Sequence, residues 1–572
     1  MSLPVSPGPG SWSLDAAHCE RPHSRFFIGM GFDALYTEGL RASAERYGLL
    51  VDTVEARFVD GFIYTCPRPI GAPPDAKGTP PRWLIRLACW FHPAVRARLR
   101  RAEAVLVERP WRADVADFRG PYSANLRAVL AAAQRRDLSA LTDAALQDEL
   151  DTLARTAAAD LREHFHRSGA CMLPVGDFLA HVTAWTGDSV EDALRALTGA
   201  SPDSVDAVVA LDAAADAVRG SGLAPAALGA GGAPLAVLTD LRAQPGPVGE
   251  AVGAWLDLVS ERTLTGHDVA ELRGIEVPGA LLDTLRARVA RPGQSADAQI
   301  AAAQAADALR ARVPASHRAA FDALLAEARE AHALRDARSA LDFWCTGLVR
   351  RALLEVGRRL TARGALRQPE HAVDCTAAEL RALLGGGEGP SAAQVALWAD
   401  ERSARSCADM PDTLGHPPAP PPPPEWYPPA AARIARAFGL YLAASAEARV
   451  AARESASPAP AAAPAGQVLE GIGASSGRVR APVRVVRVPE DFSRVSQGDI
   501  LVARITTPAY NALLPLLAGL ITERGGALSH PAIVAREYGL PAVVGVRGAL
   551  DALSDGTIVE VDGSAGTVRV LG

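Results

Sequence analysis

Among the 12 histidines of this 572-residue chain, His530 stands where an imidazole can do covalent chemistry. It lies in the run L-I-T-E-R-G-G-A-L-S-H-P-A-I-V-A-R-E-Y-G-L-P-A-V-V-G-V, Leu520 to Val546. Leu520, Ile521 and Thr522 read as the end of a buried strand. Gly525 and Gly526 permit positive φ or the close approach of a ligand. Ser529 and His530 then stand at the mouth of a helix. Pro531 suits the first helical position, where its missing N–H costs nothing. The helix continues through Ala532 to Tyr538, Gly539 ends it, and Pro541 to Gly545 form the next buried strand. A helix N-terminus offers unpaired N–H groups and the positive end of the helix dipole. An imidazole there is poorly placed as a cation. It is well placed as a neutral nucleophile that accepts a phosphoryl group, whose negative charge the helix end would hold. A lone histidine is more often packed or solvated; the two glycines, the serine and the proline-started helix reverse that expectation here.

The stretch G-G-A-L-S-H-P-A-I-V-A-R-E, followed by G-L-P-A-V-V-G-V, resembles the phosphohistidine swivelling domain of phosphoenolpyruvate synthases, pyruvate phosphate dikinases and rifampin phosphotransferases. The resemblance covers roughly Gly466 to Gly572. It implies that His530 carries a phosphoryl group between two active sites, with Gly525, Gly526 and Ser529 shaping its loop. Dikinase members often have a regulatory threonine two residues before the histidine. Leu528 stands there, so that regulation is not expected.

The elements that must position this loop follow from length and composition. At 572 residues the chain is too long for one core, and two to four domains are expected. Hydrophobic residues make up 49% and charged residues 22%, an ordinary globular balance. The formal net charge of −6 gives no sign of nucleic-acid binding. Lys77 is the sole lysine, so phosphate recognition must rest on arginine. The seven cysteines are scattered without a C-x-x-C, which points to neither a disulfide framework nor a zinc site. No signal peptide or membrane-spanning run is read, and a reducing cytoplasm is the expected compartment.

In chain order, residues 1–11 are Pro/Gly/Ser-rich and expected to be disordered. Residues 12–416 read as a large, mostly α-helical domain, with strand-like runs at Val51–Val59 and Gly61–Tyr64 and a loop at Pro67–Pro81. Leu141, Leu146, Leu150, Leu153, Ala157, Leu161 and Phe165 repeat at helical spacing. A helical break is expected at Gly169–Pro174. The clearest helix runs from Phe321 to Leu360, with one break allowed, and Gly364 stops it. Ser391 suits an N-cap. Residues 417–466 form a connector: a polyproline stretch at Pro417–Pro429, a helix at Ala430–Ala452 and an Ala/Pro-rich tether at Ser455–Gly466. Residues 467–572 read as a small β/β/α domain. The expected fold class is therefore multidomain, a large helical body and a small C-terminal phosphohistidine domain.

H-C-E-R-P-H-S-R-F-F (His18 to Phe27), S-E-R-T-L-T-G-H-D (Ser260 to Asp268), A-R-E-A-H-A-L-R-D-A-R (Ala328 to Arg338) and G-L-V-R-R-A-L-L-E-V-G-R-R-L (Gly347 to Leu360) are similar to blocks of the helical domain of rifampin phosphotransferase-like and phenylphosphate synthase-like proteins. The similarity spreads over Trp12 to Trp426. It departs at Ser260-Glu261-Arg262, where that family has H-R-G or G-W-R. The resemblance implies that the helical body binds a hydroxyl-bearing acceptor. Such a site needs cations for the travelling phosphoryl group and a base for the hydroxyl. Arg262, Arg329, Arg335 and Arg338 are candidates for the first role, or are solvated or paired with neighbouring carboxylates. Asp268 and His267 are candidates for the base or for orienting the acceptor, or Asp268 caps the next helix. One of His164, His166 and His181 is a candidate for lining the acceptor pocket, with His164 taken as the substrate-side residue. His166 points to another face of the helix, so no shared metal is expected. His18, His23 and His181 are either substrate-side or structural.

Rifampin phosphotransferases and phosphoenolpyruvate synthases carry an ATP-grasp domain, for which no room is expected here because the helical resemblance begins at Trp12. The phosphate-binding pattern G-x-x-x-x-G-K-[ST] is absent, as is the strand–helix alternation of a phosphoenolpyruvate-binding barrel. The resemblance implies that this chain binds no cofactor of its own and is loaded by a separate ATP-grasp subunit using ATP and Mg²⁺. The expectation is a phosphotransferase subunit delivering to a small hydroxyl compound, without nucleic-acid or membrane partners. The alternative is a ligand-binding or regulatory protein whose head is a phosphohistidine switch.

Overall fold

The computed structural model describes residues 4–15, 21–198, 202–222, 232–264, 266–290, 295–445, 464–487, 489–506, 510 and 513–571. The chain divides into two compact units, each built from three separate segments. One comprises Met1–Leu173, Gly266–Glu271 and Leu341–Phe438; the other comprises Pro174–Thr265, Leu272–Ala340 and Gly439–Gly572. The units thus interleave along the sequence, and their limits differ from the expected domain limits.

The first unit is mostly helical but includes a four-stranded antiparallel sheet in the order β2-β3-β1-β4. Its strands are β1 (Ser11–Leu14), β2 (Val51–Val59), β3 (Phe62–Pro69) and β4 (Thr413–Gly415). The β2–β3 hairpin follows the expected strand runs. Residues 4–11, expected to be disordered, instead lead directly into β1. The Arg68 guanidinium donates to the Pro9 carbonyl at 2.8 Å, and the Trp12 indole donates to Gly8 at 3.1 Å. Trp12, Leu14, Phe62 and Tyr64 form a buried cluster with Cys407 and Leu414.

The helix read from Phe321 to Leu360, with one break allowed, is continuous from Arg318 to Ala362. The interruption expected at Gly169–Pro174 falls earlier. One helix spans Asp143–His166 and the next Ser168–Thr186, with Arg167 between them and Pro174 inside the second. Ser391 does act as an N-cap, accepting from Gln394 N at 3.2 Å. A helix runs Pro429–Ser445; residues 455–463 of the expected tether and the remainder of the expected Ala430–Ala452 helix lie outside the described residues, as does His18.

The C-terminal part of the second unit holds an eight-stranded sheet, ordered β5-β12-β11-β7-β8-β9-β10-β6. The strands are β5 (Val468–Glu470), β6 (Ile472–Ser475), β7 (Arg478–Val486), β8 (Ile500–Ala503), β9 (Gly519–Thr522), β10 (Ala542–Val544), β11 (Ile558–Asp562) and β12 (Thr567–Val570). β7, β8, β9 and β10 pair in parallel and the flanking pairs are antiparallel. β8 and β9 are buried at every residue, as expected of parallel strands covered on both faces. Period-two alternation divides them. Ile500, Val502, Ile521 and Val543 join one core with Ala549, Leu550 and Val559. Leu501, Ala503, Leu520, Ala542 and Val544 join another with Ala532, Val534 and Ala535. That second core extends beyond the sheet domain to Leu264, Ala280 and Ala287. The head is therefore packed, through apolar side chains, on a helical part of its own unit. Among the described residues no helix is long and apolar enough to cross a membrane.

Candidate active site

The helix that follows β9 spans His530–Glu537. Ser529 is its N-cap and His530 its first residue, so Pro531 takes the second helical position rather than the first. Ser529 makes no capping bond to the helix. Its hydroxyl instead donates to the Gly526 carbonyl at 2.6 Å, which also accepts the Ser529 N–H at 3.0 Å. The serine thus closes the turn on itself and leaves the helix end for an anion. Gly525 has φ +121°, and a Cβ there would meet Ser529 Oγ at 2.7 Å; only glycine fits this turn. His530 is partly exposed while residues 525–529 are buried, so the ring stands at the rim of a rigid loop.

That loop is held by arginines. Arg335, one of the candidate phosphoryl ligands, donates to the Leu528 carbonyl at 2.5 Å. Arg536, in the last turn of the histidine helix, donates to Ala527 at 2.8 Å and to Ala474 on β6 at 3.0 Å. The Leu528 N–H donates to the Ala444 carbonyl at 2.8 Å. Burial pushes the Arg536 guanidinium down to about 10, with Arg335 adding repulsion against the pull of Glu537. His332 is buried nearby. Burial, then the charges of Arg335, Arg536 and Arg329, push its imidazole down to about 3, so it is neutral. Two other candidates bind protein groups. Arg329 donates to Ala196 at 2.8 Å and Thr198 at 3.4 Å, and Arg262 pairs with Asp206 at 3.3 Å. Arg338 is buried in the same unit.

The remaining candidates fall in the first unit and lie together. Asp268 is buried, and both its oxygens are saturated. Oδ2 receives the Ser24 N–H at 2.7 Å and faces His23 Nδ1 at 2.9 Å; Oδ1 receives the Ser24 hydroxyl at 2.6 Å and the Ala270 N–H at 2.8 Å. Burial would raise its pKa, but the bonds from His23, Ser24 and Ala270 prevail and hold it at about 2. With both oxygens engaged by protein donors, Asp268 is placed to orient its neighbours, the second of the two roles read for it. The His267 ring stacks on Phe343 at 5.0 Å and meets His164 edge-on at 5.9 Å. His164 Nδ1 faces Asp342 Oδ2 at 2.5 Å. Behind it, burial and the charge of Asp342 drive Asp160 well above the usual carboxylate range, and Tyr122 donates to it at 2.7 Å. Of the other histidines, His166 lies 3.5 Å from Glu163 and His181 contacts the Asp177 carbonyl at 2.8 Å.

Sequence reasoning passed over Arg536 and His332 and left His23 undecided. The signal for Arg536 is a lone cation in the otherwise apolar helix A-I-V-A-R. His332 sits within Ala328–Arg338 among three arginines close in sequence. His23 immediately precedes Ser24, which caps the helix Arg25–Gly29.

The head thus sets a serine–histidine turn between the buried strand β9 and the helix His530–Glu537. Residues 495–566 match the family described as "PEP-utilising enzyme, mobile domain". An uncharacterized phosphotransferase, YvkC, of Bacillus subtilis (strain 168) is 48% identical over 101 residues, 18% of this chain and 12% of that protein. A probable phosphoenolpyruvate synthase of Archaeoglobus fulgidus is 44% identical over 101 residues, 18% and 13%. A rifampicin phosphotransferase of Bacillus cereus is 43% identical over 105 residues, 18% and 12%. The match spans about an eighth of the length of these relatives and about a fifth of this chain.

Proposed function

We propose that this chain is a phosphotransferase that takes a phosphoryl group onto His530 and delivers it to the hydroxyl of a small molecule. The observation that carries this reading is His530 at the first residue of a helix whose end Ser529 leaves open. An imidazole nitrogen attacks the terminal phosphorus of the donor, the P–O bond to the rest of the nucleotide breaks with its electrons on the departing phosphate oxygen, and the helix end stabilises the charge that arrives with the phosphoryl group. In the second step the acceptor oxygen attacks phosphorus, the P–N bond breaks, and its electrons return to the ring. The names of the matching relatives, two of them phosphotransferases, support the class of reaction.

The donor in this reading is ATP with Mg²⁺ on a separate ATP-grasp chain. With Lys77 as the sole lysine, no lysine-centred phosphate loop is formed by these residues. The acceptor is a small hydroxyl compound bound by the helical body, and the head must move between the two. In this reading the core shared by Val534 and Ala535 with Leu264 and Ala280 would be one packed position of that cycle.

The test is incubation with labelled ATP, with and without a candidate ATP-grasp partner, followed by acid treatment. An acid-labile phosphoryl group is expected on the wild-type chain and none on His530→Ala. Label that persists in the variant, or label stable to acid, sinks the proposal.

A further inference from the structure

We propose that His23 is the base that deprotonates the acceptor, in a site lined by aromatic rings and suited to a phenol or similar apolar ring alcohol. The inference rests on the reading above for both the phosphoryl donor and the hydroxyl acceptor. Its physical basis is the dyad with Asp268. Because Asp268 holds both oxygens as acceptors toward four donors, His23 Nδ1 at 2.9 Å must present its proton. In the neutral ring the lone pair then lies on Nε2. His23 is only 7% exposed, and Nε2 is buried without a hydrogen-bonding partner among the described residues. A buried acceptor left so is rare in a native fold and marks a place where a donor from outside the chain belongs.

The surroundings say what kind of donor. The His23 ring stacks on Phe27 at 5.0 Å and meets the edge of Phe58 at 5.6 Å, with Phe32 at 6.4 Å. From Phe32 the run of rings continues to Phe165 at 5.6 Å, and from there to Tyr36 at 4.5 Å and His164 at 5.1 Å. A second histidine–carboxylate pair, His164–Asp342, thus borders the same aromatic run. Rings favour a flat apolar ligand, and a lone pair among them favours one with a single O–H donor. The main-chain fixings are firm: His23 N–H donates to Gly61 at 2.7 Å, and Ser24 caps the helix Arg25–Gly29. The imidazole is therefore held in place before a ligand arrives.

In the transfer step the acceptor O–H gives its proton to His23 Nε2 as its oxygen forms the O–P bond. The P–N bond to His530 breaks, and the product is a phosphate monoester. His23 leaves the step as an imidazolium, which Asp268 stabilises, and it then loses the proton to water. His23 is the catalytic residue in this account and Asp268 a positioning residue.

The experiment has two arms on the full chain. In the first, the wild-type protein with ¹⁵N-labelled histidine is titrated with phenol, benzyl alcohol and cyclohexanol. The His23 resonances are assigned by their loss in His23→Gln. The expected result is a lone-pair Nε2 signal that shifts on addition of phenol. A His23 that does not respond to any of the three alcohols overturns the proposal, a bound water then being the ordinary occupant. In the second arm, the chain is loaded with label on His530 and chased with phenol. His23→Gln is expected to load like wild type and to discharge roughly 100-fold more slowly or worse. Discharge at the wild-type rate overturns the proposal. Failure to load at all condemns the phosphohistidine reading instead, and the first arm still decides the role of His23.

Discussion

At the scale of single residues, the molecule places carboxyl groups of opposite behaviour close together in sequence. Asp268 is held at about 2, below its unfolded value of about 3.9. A depressed carboxyl stabilises the fold above the unfolded value and loses that contribution as pH falls through the folded one. Asp268→Asn should therefore cost about 2 kcal/mol at pH 6, and the gap to wild type should close between about pH 4 and 2 in urea unfolding. Glu271 behaves in the opposite sense. Burial, then the charge of Asp268, raises its carboxyl to about 7, against the pull of Arg350, Arg402 and Arg21. Its stabilising, protonated form is fully present below about pH 4.5 and is lost as pH rises through 7. Glu271→Gln should gain about 1–3 kcal/mol on wild type at pH 8 relative to the same comparison at pH 4. Arg536 is read by a different measurement. Arg536→Ala leaves the Ala527 and Ala474 carbonyls without their donor. It should cost about 1–3 kcal/mol in unfolding and slow the loading of His530, because the turn loses its anchor.

At the scale of elements, the histidine turn works because three consecutive features agree: a buried strand, a glycine at positive φ and a serine that closes the loop. Gly525→Ala forces a side chain into a backbone region that favours glycine and onto Ser529 Oγ, 2.7 Å from the new Cβ. A loss of about 1–3 kcal/mol is expected, with a fall in melting temperature and a matching fall in loading rate. This element was legible in the sequence. β9 ends on Leu520, Ile521 and Thr522 as read, and β10 lies inside the run Pro541 to Gly545, because both bury every side chain. β1, β4, β5 and β6 were not legible. Strands of three or four residues show no alternation to read, and β1 finds β4 some 400 residues away (Trp12 opposite Leu414). Which of its two readings each arginine takes was not legible for a related reason. Whether Arg262 meets a phosphate or Asp206, and whether Arg329 meets a ligand or the carbonyls of Ala196 and Thr198, depends on partners that folding alone brings near. The lone pair of His23 was illegible because it depends on Asp268, 245 residues away.

At the scale of the whole molecule, the head does not own all of its core. Leu264, Ala280 and Ala287 cover part of the face formed by Leu513, Leu514, Val534 and Ala535. A fragment comprising residues 464–572 should keep its sheet, seen by far-ultraviolet circular dichroism, yet bind a hydrophobic dye more strongly than the full chain does. Equal dye binding by the two would show that the apolar face is closed without the helices. Under the proposed delivery cycle the head must cover this face again wherever it docks, and the proposed loading partner is expected to present an apolar surface of its own.

The interleaving of the two units also bears on the birth of the protein. The first unit needs Leu341–Phe438 to join Met1–Leu173, yet the ribosome must first make the whole of Pro174–Thr265 and Leu272–Ala340. At about 5–20 residues per second, strand β1 waits on the order of tens of seconds for β4. Through that interval the growing chain exposes Trp12, Leu14, Phe62 and Tyr64, whose cluster is completed only by Cys407, Met410 and Leu414. Chaperone occupancy during synthesis should therefore peak on nascent chains that stop short of residue 407 and drop once Leu414 has emerged.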